Sequence, residues 1–228
     1  MSTRVRWLGH SCLMIETEGH RLLIDPFLTD NPKAAASAEE VRADFILVSH
    51  GHGDHIGDTI EIARRTGATV IANYEIATWL QSKGLTKVHG QQHGGGHDFP
   101  FGRLKLTIAF HGSVLPDGSN GGNPCGLHLF LKDGRRIYDA ADTALFGDMR
   151  LIGEEGIDLA ILPIGDNYTM GPDDALRAVK LLGPKKVLPI HYDTWPLIAQ
   201  DAPRWAERVR AETDAEAVVL RPGEWLEL

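Results

Sequence analysis

ADFILVSHGHGDH, residues 43–55, joins an unbroken apolar run to three imidazoles and a carboxylate packed into its last six positions. The run FILVS reads as a strand, because it is short, rich in β-formers and bounded by polar residues. From Thr59 onward, TIEIARRTG carries its apolar residues at helical spacing. His50, His52, Asp54 and His55 therefore sit between a strand and a helix, a concentration of donors that suits a metal ion. Nitrogen and oxygen donors without sulfur fit Zn²⁺ or Mn²⁺, with iron admissible, and affinity order alone does not choose among them.

The same patterning extends in both directions. Upstream, VRWLGHSCLMIET (5–17) and RLLIDPFL (21–28) are short apolar runs broken by Gly and Asp turns. Downstream, the helical patterns TIEIARRTG and YEIATWLQSKG lead into the runs ATVIA and KVHG. The middle returns to strands in LKLTIAFH (104–111), CGLHLFLKDG (125–134) and RRIYDAAD (135–142), with Asp133-Gly134 as the pair that two-residue hairpin loops prefer. Alternation resumes with IDLAILPIG, the helix GPDDALRAVKLLG, KVLPIHYDT, a helix around APRWAERVRAE, and AVVLRPGEWLEL. Pro172 and Gly183 stand where a helix starts and stops. Gly90–Gly102, containing QQHGGGHDFPF, is expected to be a loop. Two β-rich halves, each with helices, imply two packed sheets covered by helices: an α/β, four-layer αββα sandwich forming one domain over residues 1–228.

Five apolar runs end in a histidine or aspartate: RLLI in Asp25, FILVS in His50, LTIAF in His111, RIYDAA in Asp142 and KVLPI in His191. Side chains at strand ends can converge on one edge of a sheet, where α/β proteins place their ligands. The inventory suits two divalent metal ions per chain, Mn²⁺ or Zn²⁺. His50, His52 and His111 are assigned to one, Asp54, His55 and His191 to the other, and Asp142 lies between them. The isolated His20 and His128, and His89, His93 and His97 of the glycine loop, are expected to be surface or core residues. Trp79, Trp205 and Trp225 are explained first by packing. Trp195, four positions after His191, is placed to wall a pocket.

Composition narrows the class. With 228 residues, 43% hydrophobic and 24% charged, the chain can bury a core and lacks the signature of disorder. A net charge of −8 argues against phosphate-driven binding to long nucleic acid and for a small-molecule substrate. Cys12 and Cys125 form no C-x-x-C pair, so free thiols and a reducing compartment are expected. Neither a signal peptide nor a membrane-length apolar stretch is present, which points to a cytoplasmic protein without membrane contact. The sequence is compatible with homo-oligomer formation.

The chain resembles the metallo-β-lactamase superfamily, and within it a branch of metal-dependent hydrolases related to the L-ascorbate-6-phosphate lactonases. The resemblance is carried by LGHSC at 8–12, IDPF at 24–27, SHGHGDH at 49–55, DTALFGDM at 142–149, PIGDNYTMGPDDA at 163–175 and PIHYDTWP at 189–196. It implies the αββα fold, the ligand set above, and Asp25 as the partner that orients a ligating histidine. The segment HGQQHGGGHDF departs from the family pattern.

A metal pair can acidify a bridging water and polarise the bond under attack, so hydrolysis is the expected reaction. Asp54 is the candidate proton acceptor and His10 the candidate donor to the leaving group. Asn167, Tyr168 and Thr169 are candidate substrate-binding residues. Phosphodiesters or small phosphorylated molecules are the first substrate class, and lactones or other cyclic esters the alternative. A non-enzymatic metal-binding protein is a further alternative. The diiron redox class of this fold carries, by resemblance, a carboxylate where His52 stands. The superfamily's large nucleases carry an added clamp domain for which 228 residues leave no room.

Overall fold

The computed structural model describes residues 2–228. One sheet is built from β1 (Arg4–Gly9), β2 (Cys12–Thr17), β3 (His20–Ile24), β4 (Phe45–Leu47), β5 (Thr69–Asn73) and β6 (Val88–Gln91). The other contains β7 (Gly96–Phe99), β8 (Gly102–Ile108), β9 (Cys125–Leu131), β10 (Arg136–Asp139), β11 (Leu159–Pro163), β12 (Lys186–Ile190) and β13 (Glu216–Ala217). The chain then crosses back, and β14 (Trp225–Glu227) pairs antiparallel with β1. The orders are β14-β1-β2-β3-β4-β5-β6 and β13-β12-β11-β10-β9-β8-β7.

Helices α1 (Gly53–Ile56), α2 (Thr59–Thr66) and α3 (Tyr74–Ser82) belong to the first half, and α4 (Met149–Glu154), α5 (Pro172–Leu182) and α6 (Ala202–Glu212) to the second. Successive side chains of a strand face opposite ways. Phe45, Leu47 and Ile71 accordingly point into the core shared by the two sheets, with Leu104, Leu106, Leu127 and Leu129 of the other sheet. Ile46, Val48 and Val70 point outward and are buried by Ile62 of α2 and by Ile76 and Leu80 of α3. FILV is apolar throughout because both faces of its strand are covered, as in parallel sheets generally. The result is the αββα sandwich. α5 begins at Pro172 and stops at Gly183, whose φ of 56° is left-handed. No helix among the described residues is long and apolar enough to cross a membrane.

Two local expectations are corrected. Gly90–Gly102 is not a single loop: Gly90 ends up in β6, and Gly96–Phe99 pairs antiparallel with β8. Both are edge strands, where one partner suffices and alternating apolar residues are not demanded; KVHG marked the first, and composition hid the second. The β9–β10 hairpin also closes over residues 132–135, longer than a two-residue loop, with Gly134 at φ 89°.

Strand direction places the site. β3 and β4 are parallel, so Asp25 and the segment that begins at His50 leave the first sheet at one edge. β8 and β10 are both antiparallel to β9 and hence parallel to each other, and β12 follows β10 through parallel pairing with β11. His111, Asp142 and His191 therefore emerge together at the matching edge of the second sheet.

Candidate metal centre

His50, His52 and His111 each turn a ring nitrogen toward the others, all within 4.8 Å. Nε2 of His50 is 3.0 Å from Nδ1 of His52, and the His111 ring lies 5.1 Å and 5.0 Å from those of His50 and His52. Asp54, His55 and His191 form a second group, joined by His10. Asp142 stands between the groups: its Oδ2 is 3.1 Å from Nε2 of His191, 3.3 Å from that of His55 and 3.4 Å from that of His111.

Burial sets the charge states. It pushes down the pKa of His50, His52 and His111, so these imidazoles stay neutral and keep a lone pair free. For His55, burial opposes the charge, but Asp142 and Asp25 outweigh it and push its pKa well up. Burial likewise favours a neutral Asp142, yet the His191 and His55 imidazoles beside it pull its pKa far below the usual carboxylate range. The negative potential that holds a proton on His55 is the potential a cation would take up in its place.

Two atoms of this cluster fit that substitution. Nε2 of His55 and Oδ1 of Asp142 are buried without a hydrogen-bond partner. Buried polar atoms are seldom left so, because each forfeits its hydration for nothing in return. A metal ion among these donors would satisfy both. The histidine and carboxylate set, free of thiolate, matches the chemistry of such an ion.

Supporting groups fix the donors. Asp25, 1% exposed, accepts from Ser49 N at 2.8 Å and from Ser49 Oγ at 2.5 Å, and pairs with Nδ1 of His55 at 2.7 Å. His55 must then present Nε2 to the cluster, and Ser49 Oγ also lies 2.9 Å from Nδ1 of His50. His10 is fully buried, with Nδ1 2.7 Å from Thr194 Oγ1 and Nε2 3.1 Å from Asp54 Oδ2. Burial lowers its pKa to about 4, so it is neutral near pH 7. The carboxylate requires a donor, which assigns the ring proton to Nε2 and leaves Nδ1 to accept from Thr194. Ser113 Oγ accepts from the amide of Gly51, between His50 and His52, at 3.0 Å. His10, Asp25 and His191 have φ of 55°, 43° and 55°, left-handed values rare for residues with a side chain and found where a site holds them.

The structure thus brings His10, Asp25, His50, His52, Asp54, His55, His111, Asp142 and His191 together. Asn167, Tyr168 and Thr169 lie on a turn closed onto Asp166 and tied to Thr143 through Met170 N. Among the described residues, no hydrogen bond or ion pair joins their side chains to the cluster. Trp195 meets His10 edge to face at 5.0 Å. Ser49, Thr194 and Ser113 were not singled out from sequence; only Ser49, directly before His50, carried a positional signal. The rings of His89 on β6 and His97 on β7 lie 4.3 Å apart at a tilt of 34°, and His128 is buried in β9. A hollow of about 470 Å³ among Arg4, Glu16 and Arg21 lies at the opposite ends of these strands, and there Arg4 pairs with Glu16 at 2.6 Å.

Comparison with known proteins gives the family and the fold. Residues 20–192 match the family model of the beta-lactamase superfamily domain. A protein of Pelotomaculum thermopropionicum named UPF0173 metal-dependent hydrolase is 50% identical over 99% of this chain and 100% of its own length. One of the same family name from Thermus thermophilus is 52% identical over 98% of each chain. Among solved structures, Igni18, described as a novel metallo hydrolase from the hyperthermophilic archaeon Ignicoccus hospitalis, superposes with a TM-score of 0.92 at 36% identity, covering 100% of this chain and 99% of that one.

Proposed function

The chain belongs to the beta-lactamase superfamily, among the UPF0173 metal-dependent hydrolases, and from that premise we propose that it hydrolyses a small ester substrate with two divalent cations. The observation that carries this reading is the position of Asp142, whose one oxygen lies within 3.4 Å of Nε2 of His55, His111 and His191. A carboxylate set between two donor groups suits a pair of ions.

His50, His52 and His111 would hold one ion, Asp54, His55 and His191 the other, with Asp142 shared. Two bound cations supply Lewis acidity, acidifying water and polarising the bond to be cleaved. The chain's own residues do the rest. Asp25 and Ser49 lock the tautomers and planes of His55 and His50, as outer partners of ligating imidazoles do. His10, held by Thr194, donates to Asp54 and keeps that carboxylate anionic, so His10 works on Asp54 instead of on the leaving group. The Asp54 side chain is 28% exposed, which leaves it the carboxylate of the cluster nearest to water and able to accept a proton there.

A phosphodiester is the first substrate class, because paired cations can clamp both the attacking and the leaving oxygen of an in-line displacement. A lactone or other cyclic ester is the second, favoured by the groove that His111 borders, whose lining holds no Lys, Arg, Asp or Glu. Protein loaded separately with Mn²⁺ and Zn²⁺ is assayed on bis(4-nitrophenyl) phosphate and on dihydrocoumarin. Turnover of the phosphodiester supports the first class and turnover of the lactone alone moves the assignment to the second. Failure on both at full metal occupancy overturns the hydrolytic reading for these classes.

A further inference from the structure

His111 faces two ways. One side joins the donor cluster; the other lines a groove of about 350 Å³ together with Ile108, Ala109, Phe110, Pro124, Asn123 and His93. That volume is at the lower end of the range for small-molecule sites and accommodates a ring. None of the residues lining it is Lys, Arg, Asp or Glu. Phe110 is 59% exposed and Ile108 39% exposed, large apolar side chains held open to water directly beside the candidate metal ligands. Exposed apolar surface gathered at such a place marks binding.

The walls are rigid. Phe110 N donates to Thr143 Oγ1 at 3.0 Å and Phe110 O accepts from Ala144 N at 3.1 Å, so its backbone is fastened to the segment just after Asp142. Its ring meets Phe146 edge to face at 5.5 Å. Opposite, His93 Nε2 donates to Pro124 O at 2.8 Å, and Asn73 Nδ2 donates to Asn123 O at 2.9 Å. The glycine-rich segment around His93, left without a role by the sequence, thereby closes one side of the groove. A prearranged apolar wall binds without first having to order itself.

We propose that this groove receives an uncharged apolar ring, aryl or alicyclic, attached next to the scissile group, and that Phe110 and Ile108 are the residues that select it. A polyphosphate tail finds no lysine or arginine in its lining. The proposal rests on the hydrolytic reading of the cluster, since it takes the bond under attack to lie at His111.

The test is calorimetric titration of the metal-loaded protein with phenylphosphonate, methylphosphonate and phosphonoacetate, three probes sharing one head group. The wild type should bind phenylphosphonate about tenfold tighter than methylphosphonate, the low end of what an apolar contact in a pocket discriminates. Phosphonoacetate should gain nothing over methylphosphonate. Phe110→Ala and Ile108→Ala, both at exposed positions, should bring the phenyl-to-methyl ratio toward one. Leu151→Ala, an equally exposed apolar position on α4 outside the groove, should leave the ratio unchanged. A wild-type ratio near one, a ratio that neither groove variant alters, or no binding of any phosphonate overturns the proposal. The ratio is read without turnover, so failure of the hydrolytic reading shows separately, in the substrate assays.

Discussion

Replacing Asp25 by Asn keeps the shape of the side chain and removes its charge and one acceptor. Asp25 Oδ1 takes the Ser49 amide, while Oδ2 takes Ser49 Oγ and pairs with His55 Nδ1. An asparagine has one acceptor oxygen for these two positions, so its NH₂ must face either the Ser49 amide or the imidazole proton. A buried donor set against a donor costs about 1–3 kcal/mol. Losing the carboxylate behind a ligating imidazole typically lowers metal affinity or activity about 10- to 100-fold, which at about 1.4 kcal/mol per factor of ten is the same range. Asp25→Asn should therefore weaken metal binding and turnover by that factor and recover part of its rate at high added metal, because the direct donors survive. Asp142→Asn should recover little, since it removes the negative charge that both groups share and leaves one oxygen in place of two. The assay is turnover against added Mn²⁺ or Zn²⁺, with affinity measured by competition against a chromophoric chelator. Should Asp25→Asn be as inactive as Asp142→Asn and as indifferent to metal, Asp25 touches the ion itself, and the orienting role is refuted.

His111→Ala and His191→Ala each take one donor from a different group; each should abolish hydrolysis at ordinary metal concentration with circular dichroism unchanged, and wild-type turnover in either would refute the assignment. A Cβ at Gly165 would stand 2.1 Å from His191 O and 3.2 Å from its Nδ1, so Gly165→Ala should displace His191, lower metal content and cost roughly 1–3 kcal/mol of stability; an unchanged melting temperature and metal content would contradict this. Burial lowers the pKa of His128 from 6.5 to about 4, so the unfolded chain binds more protons than the folded one between those values. Wild-type stability should fall as pH drops from 6.5 to about 4, and His128→Leu, which does not titrate, should fall less over that window; parallel urea midpoints for the two proteins would count against it.

The strand-end residues were legible because direction is forced: once FILV and RLLI are parallel and buried, the residue after each run must appear at one sheet edge. The donor groups of the cluster could therefore be placed from sequence. Their hydroxyl supports could not. Ser113 meets Gly51 from 62 positions away and Thr194 meets His10 from 184, and nothing local distinguishes either from an ordinary loop hydroxyl. His10 could be named as part of the site, but its burial and its pairing with Asp54 are tertiary facts, and they are what the proposed role of holding that carboxylate rests on. The strand around His97 escaped for the reverse reason, since an edge strand rich in glycine has no periodicity to read, whereas KVHG had marked the strand that holds His89. Asn167, Tyr168 and Thr169 were placed by proximity in sequence to a strand end; among the described residues no hydrogen bond or ion pair joins their side chains to the donors, and substrate binding by them stands as a proposal.

If two donor groups sharing Asp142 hold two divalent ions, elemental analysis of gently purified protein tests it most directly. Close to two metal ions per chain are expected, falling toward one in the His111→Ala or His191→Ala variant. A content near zero that added Mn²⁺ or Zn²⁺ does not restore would contradict the shared two-ion centre.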